Sequence, residues 1–243
     1  KEYGINIVND WTKAVDVSAD GWIVSTPPLT HMRYAVEALE AGTHVFTEAD
    51  LPDPVAAQAK NLRDETGLVL APSCTMQHHP GPIKIMDLIA RGLIGEPLVF
   101  SYHAGQYLPD WHPWENYLDF YVSQPATGAA REIVPFELVW LTKLFGPVID
   151  IAGLKNRSGA LEANIDDSYA IAISFKNRVS GTILIDVLAQ PEVRSLRING
   201  TKGALEWDQT IETVRIRNSG DKEWTSFSLD TGTIETDYIN PEE

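Results

Sequence analysis

Three charged side chains stand at the beginning of a long apolar stretch, in the sequence REIVPFE at residues 131–137. A carboxylate such as Glu132, near the start of a predicted helix, can transfer a proton in catalysis or simply complement the positive end of the helix dipole. Glu137 lies among apolar residues, and a buried carboxylate must be paired or have its pKa raised. Arg131 is a candidate partner for a carboxylate or for an anionic substrate.

Two adjacent histidines, His78 and His79, are the residues that come nearest to a metal site. Adjacent side chains rarely point at one ion, and no Cys, Asp or Glu stands at ligand spacing, so no metal is predicted. His79 is instead a candidate general acid.

Aromatic residues crowd the segment from 110 to 121. Its rings are Trp111, His112, Trp114, Tyr117, Phe120 and Tyr121. Flat apolar rings with polar tips suit carbohydrate faces, so Trp111 and His112 are candidate substrate-binding residues. An equally open alternative is that this segment caps the fold or contacts another subunit.

The composition is that of an ordinary soluble globular protein, with 44% hydrophobic and 22% charged residues in a chain of 243. A formal net charge of −15 argues against a nucleic-acid partner. No run of about 18 apolar residues is present, so no membrane span is expected. The single cysteine, Cys74, excludes an intramolecular disulfide and fits a cytoplasmic location.

The elements that must position these residues follow two periodicities. Up to about residue 75 apolar strands alternate with helices, which predicts a doubly wound parallel α/β sheet. From residue 149 onward apolar and small residues alternate, which predicts further strands, and Asp166 and Asp167 are expected to be solvated. The predicted strands include 21–25, 44–47, 68–71 and 98–103, and the predicted helices include 55–66, 82–90 and a buried helix at 133–145.

Several stretches, in this order along the chain, resemble one known family. They are STPP at 25–28, ALEAGTHVF at 38–46, TEAD at 47–50, RGLIGEPLVF at 91–100, GAAREIVPFELVWLTKLFG at 128–146 and LRINGTKGALEWD at 196–208. Each is weak alone, but the ordered set is similar to the Gfo/Idh/MocA family of sugar and cyclitol dehydrogenases. The similarity covers the chain from about residue 15 to about residue 216.

This resemblance implies an NAD(P)-dependent oxidoreductase that acts on a sugar or nucleotide-sugar. Residues 1–80 would form part of a Rossmann domain. Residues 81–243 would form an α+β domain whose large, mainly antiparallel sheet receives the substrate and joins the subunits of a homo-oligomer. The stretch AGQYLPDWHP at 104–113 is similar to members linked to bacterial surface-polysaccharide biosynthesis. The implied cofactor-binding residues are Ser25, Thr26, Pro27, His31 and Glu48.

The chain departs from the family pattern in three places. It has no Gly-x-Gly-x-x-Gly turn, whose amides would hold the cofactor pyrophosphate. We therefore expect NAD or NADP to bind only with a further N-terminal segment of about 50 residues. The family's lysine is replaced by Ala49 and its histidine by Phe136, and neither side chain can transfer a proton.

These departures leave different functions open. An active enzyme would need Glu132, His79 or Tyr107 to transfer the proton, whether this chain is complete or a fragment of a longer enzyme. The alternative is a catalytically inactive relative that serves as a sugar-binding or oligomeric structural subunit.

Overall fold

The computed structural model describes residues 7–48 and 54–229, and the chain divides into two compact units between Ser73 and Cys74. Each unit has its own apolar core. The roles of the two units, one for a cofactor and one for a substrate, stay a prediction. No helix in the described part of the chain is long and apolar enough to cross a membrane.

The first unit is a small parallel sheet with helices in its crossover connections. Its elements are α1 (Trp11–Val15), β1 (Gly21–Val24), α2 (His31–Glu40), β2 (His44–Thr47), α3 (Ala56–Thr66) and β3 (Leu70–Pro72). The strands lie in the order β1-β2-β3, and both pairs are parallel. The predicted parallel α/β arrangement is confirmed.

Helix α2 forms because its apolar residues recur at helical spacing. The buried residues of the predicted stripe are Met32, Ala35, Val36 and Leu39. They belong to the same core cluster as Val24 of β1 and Val45 of β2, so the helix lies against the strands on either side of it in sequence. Gly42 follows with a φ of 79°, a left-handed conformation that favours glycine and ends the helix.

The second unit is built around an eight-stranded sheet. Its helices are α4 (Pro80–Ala90) and α5 (Ala129–Phe145), and its strands are β4 (Pro97–Gly105), β5 (Val148–Asn156), β6 (Ser168–Phe175), β7 (Ser180–Asp186), β8 (Val193–Gly200), β9 (Gly203–Asp208), β10 (Thr213–Asn218) and β11 (Thr225–Ser228). The strand order is β11-β10-β9-β8-β4-β7-β6-β5. Only the β4–β7 pair is parallel, so the predicted mainly antiparallel sheet is confirmed.

One face of this sheet carries the core and packs against α5. Along β4, Phe100 and Tyr102 are buried on that face, while Ser101 between them is exposed on the other. The Phe145 ring of α5 stacks on Phe100 with centroids 4.6 Å apart, and Trp140 meets Tyr102 edge-on at 5.4 Å. The helix is thus fixed on the sheet by large aromatic contacts.

The apolar stretch at 133–145 predicted a buried helix, and the buried residues of α5 lie along one of its sides. Trp140, Leu141 and Phe145 are almost inaccessible, but Lys143 is exposed. A helix that covers one face of a sheet keeps its opposite side at the surface. Phe136 is half-buried and packs against the edge of the core.

Asp167 requires a correction, because it is buried and not solvated as predicted. Its carboxylate is 1% exposed and accepts hydrogen bonds from the backbone N–H (2.7 Å) and hydroxyl (2.6 Å) of Ser158. Asp166 pairs with the Lys155 ammonium at 2.7 Å. The two acids therefore help to close the loop between β5 and β6.

We predict that Gly181→Ala lowers the free energy of unfolding by about 1–3 kcal/mol, because a Cβ on this β7 residue would overlap the ring and carbonyl oxygen of Phe100 on β4. Gly21→Ala is the control, since its nearest atom would lie 3.7 Å away, an ordinary contact. Urea unfolding of both variants checks the difference. Equal stabilities for the two variants would contradict this account of the β4–β7 packing.

Candidate functional site

The first turn of α5 carries Glu132, and the aromatic segment reaches it. The carbonyl oxygen of Gly128 accepts from the amides of Arg131 (2.9 Å) and Glu132 (3.2 Å), which begins the helix. The Tyr121 hydroxyl lies 3.5 Å from Oε1 of Glu132. The predicted catalytic carboxylate therefore stands at the positive end of a helix, beside one of the predicted aromatic residues.

Glu137, one residue after Phe136, is the centre of a buried polar network. Oε2 accepts from the Tyr102 hydroxyl (2.6 Å) and from Nε1 of Trp140 (2.7 Å), and Oε1 accepts from Nη2 of Arg194 (2.9 Å). The Arg194 guanidinium also donates to Oε1 of Gln209 at 3.0 Å. Both oxygens of a carboxylate with no solvent exposure are thus satisfied.

This network shifts the pKa values of its members. Burial raises the pKa of Tyr102 well above its ordinary value, and the Glu137 charge raises it further. Burial alone would lower the pKa of Arg194, but the charges of Glu137 and Tyr102 and the hydrogen bonds with both together outweigh burial and raise that pKa. The buried carboxylate is thus paired, as required, but with Arg194, 57 residues away, whereas Arg131 is exposed.

His79 is the N-cap of α4. Its Nδ1 accepts the Gly81 amide at 3.0 Å, so a neutral ring carries its proton on Nε2. Burial, followed by the nearby Arg194 charge, lowers the pKa of His79, while Glu212 and Glu137 oppose the shift. The ring is therefore neutral at pH 7, which favours a capping role, and its role as a general acid stays a prediction.

The other predicted site residues of this unit surround the 3₁₀ turn at Leu108–Asp110. Tyr107 and Trp111 are half-buried and pack against the core, and Nε1 of Trp111 is buried. His112 is more exposed and stacks on Trp114. Trp111 and His112 belong to the same aromatic segment of the sequence as Tyr121, and their binding of a sugar stays a prediction.

The predicted cofactor residues lie where β1 and β2 end in the first unit. The Glu48 amide donates to the Val24 carbonyl oxygen at 3.0 Å, which brings the carboxyl ends of the two strands together. Thr26 Oγ1 lies 2.8 Å from the Thr30 hydroxyl. Ser25, Pro27 and Glu48 are exposed. Ligands of parallel sheets bind at such strand ends.

His31 differs from these residues because it is 2% exposed, and its Nε2 hydrogen-bonds the Thr26 carbonyl oxygen. It supports the strand end, and its direct contact with a cofactor stays a prediction. The hydroxyls of Ser25 and Thr26 and the Glu48 carboxylate suit the ribose hydroxyls of a nicotinamide cofactor. Ala49, the position of the family's lysine, lies outside the described residues.

A histidine–aspartate pair on the face of the large sheet opposite to α5 was not predicted from the sequence. Nε2 of His103 on β4 lies 2.6 Å from Oδ2 of Asp186 at the end of β7. Oδ1 of Asp186 accepts the amides of Leu188 (2.9 Å) and Ala189 (2.8 Å). A Cβ at Gly105 would lie 2.8 Å from Oδ2, so glycine makes room for this carboxylate.

Burial by itself would raise the pKa of Asp186, but the His103 hydrogen bond and the two amides outweigh it and lower the pKa. The pair is separated by 83 residues in sequence and depends on the parallel β4–β7 register. Alternation along β4 could have placed His103 opposite the core, but not beside Asp186.

No group of three or more His, Cys, Asp or Glu residues in the described ranges could hold a metal ion.

Comparison with known proteins identifies the class. The family model for the GFO/IDH/MocA C-terminal domain matches residues 83–206, just over half of the chain. This region contains α5, β4 and the Glu132 and Glu137 sites. The chain therefore belongs to the Gfo/Idh/MocA family, as the sequence resemblance predicted.

Individual relatives agree with this assignment. Uncharacterized oxidoreductase YdgJ of Escherichia coli (strain K12) is 27% identical over 216 residues, 84% of this chain and 58% of that protein. The dTDP-3,4-didehydro-2,6-dideoxy-alpha-D-glucose 3-reductase of Actinomadura kijaniata is 32% identical over 84 residues, 34% of this chain and 25% of that protein.

Among solved structures, levoglucosan dehydrogenase in complex with NADH and levoglucosan superposes with a TM-score of 0.80 at 17% identity. The match covers 91% of this chain and 64% of that chain, and it shows a common fold. The chain thus spans less than two thirds of the length of each of these proteins.

We predict that Glu137→Gln lowers the free energy of unfolding by about 3 kcal/mol, because it leaves the Arg194 charge without its counter-ion and gives Tyr102 and Trp140 a poorer acceptor. Asp87→Asn is a matched control, since it removes one charge from the exposed Arg91 pair of α4 and should cost less than about 1 kcal/mol. Urea unfolding compares the variants. Similar losses in both would mean that the buried network contributes no more than a surface ion pair.

We predict that Asp186→Asn destabilises the fold at pH 7 and that its difference from the wild type shrinks in acid. The folded pKa of Asp186 lies below the ordinary value of 3.8, so its stabilisation is present above that value and is lost as the pH falls through the folded pKa. Urea unfolding at about pH 7, 5 and 3 measures the two curves. A constant difference between the curves would exclude Asp186 as a source of acid sensitivity.

Proposed function

We propose that this chain is the major part of an NAD(P)-dependent oxidoreductase that acts on a sugar or nucleotide-sugar. The observation that carries the proposal is the position of Glu132 at the start of α5, inside the family-matched region and beside Tyr121. The reductase and levoglucosan dehydrogenase are each named for a sugar substrate, which supports the substrate class. The NADH in the levoglucosan dehydrogenase complex supports the cofactor. The similarity of residues 104–113 supports a place in surface-polysaccharide biosynthesis.

The chemistry assigned to this chain is positioning and proton transfer. When bound, the nicotinamide supplies hydride acceptance or donation. In oxidation of a substrate alcohol, Glu132 accepts the hydroxyl proton at a carboxylate oxygen, and the Tyr121 hydroxyl orients that carboxylate. In the first unit Ser25, Thr26 and Glu48 bind the ribose hydroxyls, with the further N-terminal segment expected to hold the pyrophosphate.

The proposed assembly is a homo-oligomer through the face of the large sheet opposite to α5, which no other described element of the second unit covers. Cross-strand neighbours on that face are small or apolar, namely Ala152, Ala170, Ala172, Thr182 and Leu184. Leu154 beside them is 78% exposed. A flat apolar face of this kind supports association with a second copy. A cytoplasmic location also stays a prediction.

A second candidate function is that of a catalytically inactive, sugar-binding or structural relative. Phe136, at the family's histidine position, supports it because its ring packs against the apolar core and offers no titratable group. In this case the fold and the oligomer surface are retained, while proton transfer is lost.

Turnover and cofactor binding in the full-length protein discriminate between these functions. We expect NAD(P)H binding, and we expect Glu132→Gln to lower kcat about 100-fold or more at unchanged cofactor affinity, because only the proton acceptor is removed. Glu162→Gln, a charge change at an exposed loop position, is the matched control. Calorimetry measures binding, and nicotinamide absorbance with a panel of sugars and nucleotide-sugars measures turnover.

Full activity in Glu132→Gln would reassign the proton transfer to another residue. Cofactor binding without any turnover would favour the inactive relative, and turnover gained in Ala49→Lys/Phe136→His would identify it as a decayed enzyme. Absence of cofactor binding in the full-length protein would overturn the oxidoreductase proposal.

A further inference from the structure

Trp114 is an exposed indole that its neighbours hold in a fixed orientation. Its ring stacks on His112 with centroids 5.5 Å apart and planes only 5° from parallel. The indole is 42% exposed, and its outer face makes no aromatic or cation–π contact with any residue in the described ranges. One flat face of the indole is therefore stacked on His112, while a large fraction of the residue is exposed.

The support is built from two further contacts. His112 meets the Phe120 ring edge-on at 6.3 Å, and its Nδ1 lies 3.3 Å from Oε2 of Glu115. A ring fixed in this way loses little conformational entropy when a second ring stacks on it. Trp114 therefore has the geometry of a preorganised stacking surface.

This geometry favours Trp114 as the residue that stacks on a ligand, instead of Trp111 and His112, which the sequence indicated. Trp111 is half-buried against the core with its Nε1 buried, and the ring of His112 is engaged by Trp114 and Phe120. Of Trp111, His112 and Trp114, Trp114 is the exposed residue and stacks on a single aromatic neighbour in the described ranges.

The contacts also give the ligand a direction. From Trp114 the chain of contacts runs through His112 to Phe120, and the next residue, Tyr121, approaches Glu132. Because two other rings stand between Trp114 and Tyr121 in this series of contacts, we expect a single sugar ring at Glu132 not to reach Trp114. A ligand that uses both ends must be extended.

Arg131 supplies a positive charge next to Glu132 in the sequence that such a ligand could use. It precedes Glu132 in the first turn of α5, is exposed, and forms no ion pair with any residue in the part of the chain that the structure describes. An exposed guanidinium without a counter-ion in a chain of net charge −15 suits a phosphate group.

We infer that Trp114 stacks on the nucleobase of a nucleotide-sugar whose diphosphate is bound by Arg131 and whose sugar reaches Glu132. This inference rests on the proposed function and narrows its substrate class from sugars in general to nucleotide-sugars. The base is a planar ring that continues the parallel His112–Trp114 stack, and every base offers such a face.

Binding of UDP to the full-length protein tests the assignment without requiring turnover. UDP is the probe because an adenine nucleotide could also bind at a dinucleotide site. We expect Trp114→Ala to weaken UDP binding about 10-fold or more and Trp114→Phe to retain most of it. Trp224→Ala is the control, since Trp224 is a tryptophan covered by Arg197, Arg215 and Arg217 on another part of the sheet.

Two further comparisons separate the parts of the ligand. Arg131→Gln should weaken UDP but not uridine, and methyl glucoside binding should be the same in Trp114→Ala and the wild type. Equal UDP binding in Trp114→Ala and the wild type, or no UDP binding at all, would overturn the inference. Loss of methyl glucoside binding in Trp114→Ala, with UDP unaffected, would make Trp114 a sugar platform instead.

These outcomes are distinct from failure of the proposed function. Turnover of a sugar with no contribution from Trp114 would leave the oxidoreductase proposal intact and remove only the nucleobase site. UDP binding at Trp114 without any nicotinamide-dependent turnover would keep the binding site and remove the enzyme.

Discussion

The carboxylate of Glu137 is the interaction on which the geometry of the second unit depends. It receives hydrogen bonds from Tyr102 on β4, from Trp140 on its own helix and from Arg194 on β8, and β4 and β8 are neighbours in the sheet. A fully buried charge tolerates few arrangements, because each lost donor leaves an unpaired lone pair in a medium of low polarity. The rotation of α5 about its axis is therefore fixed, and so is the direction in which Glu132 leaves its first turn.

Because helix α5 packs on one face of the eight-stranded sheet, the two faces of the sheet differ. The covered face carries the aromatic core and the buried ion pair, while the other face carries His103, Asp186 and a row of small residues. Because side chains alternate along each strand, a residue's place on β4 decides which of these environments it enters. The proposed ligand chemistry at the start of α5 and the proposed association through the opposite face of the sheet therefore depend on different residues.

Local patterns predicted most of the fold, and long-range pairing limited the prediction of the site. The stripe of α2 and the alternation of β6 and β7 depend only on nearby residues, and both matched the structure. Burial of Glu137 could be inferred from its apolar neighbours, but its partner Arg194 is supplied by strand register, which no local pattern specifies. Asp167 was misjudged for the same reason, since its donors come from Ser158 across a loop.

Catalysis and ligand binding make different demands on the residues that this chain retains. Phe136, at the position of the family's histidine, cannot transfer a proton, yet it makes no aromatic contact with the described stack of His112 and Trp114. Phe136 lies one helical turn after Glu132, so both side chains lie on the same side of α5. We expect its apolar ring to help exclude water from a ligand bound at the Glu132 carboxylate. Under both proposed functions, the active enzyme and the inactive binding subunit, the same residues would form the ligand site. What separates them is whether Glu132 can exchange a proton with a hydroxyl placed beside a nicotinamide.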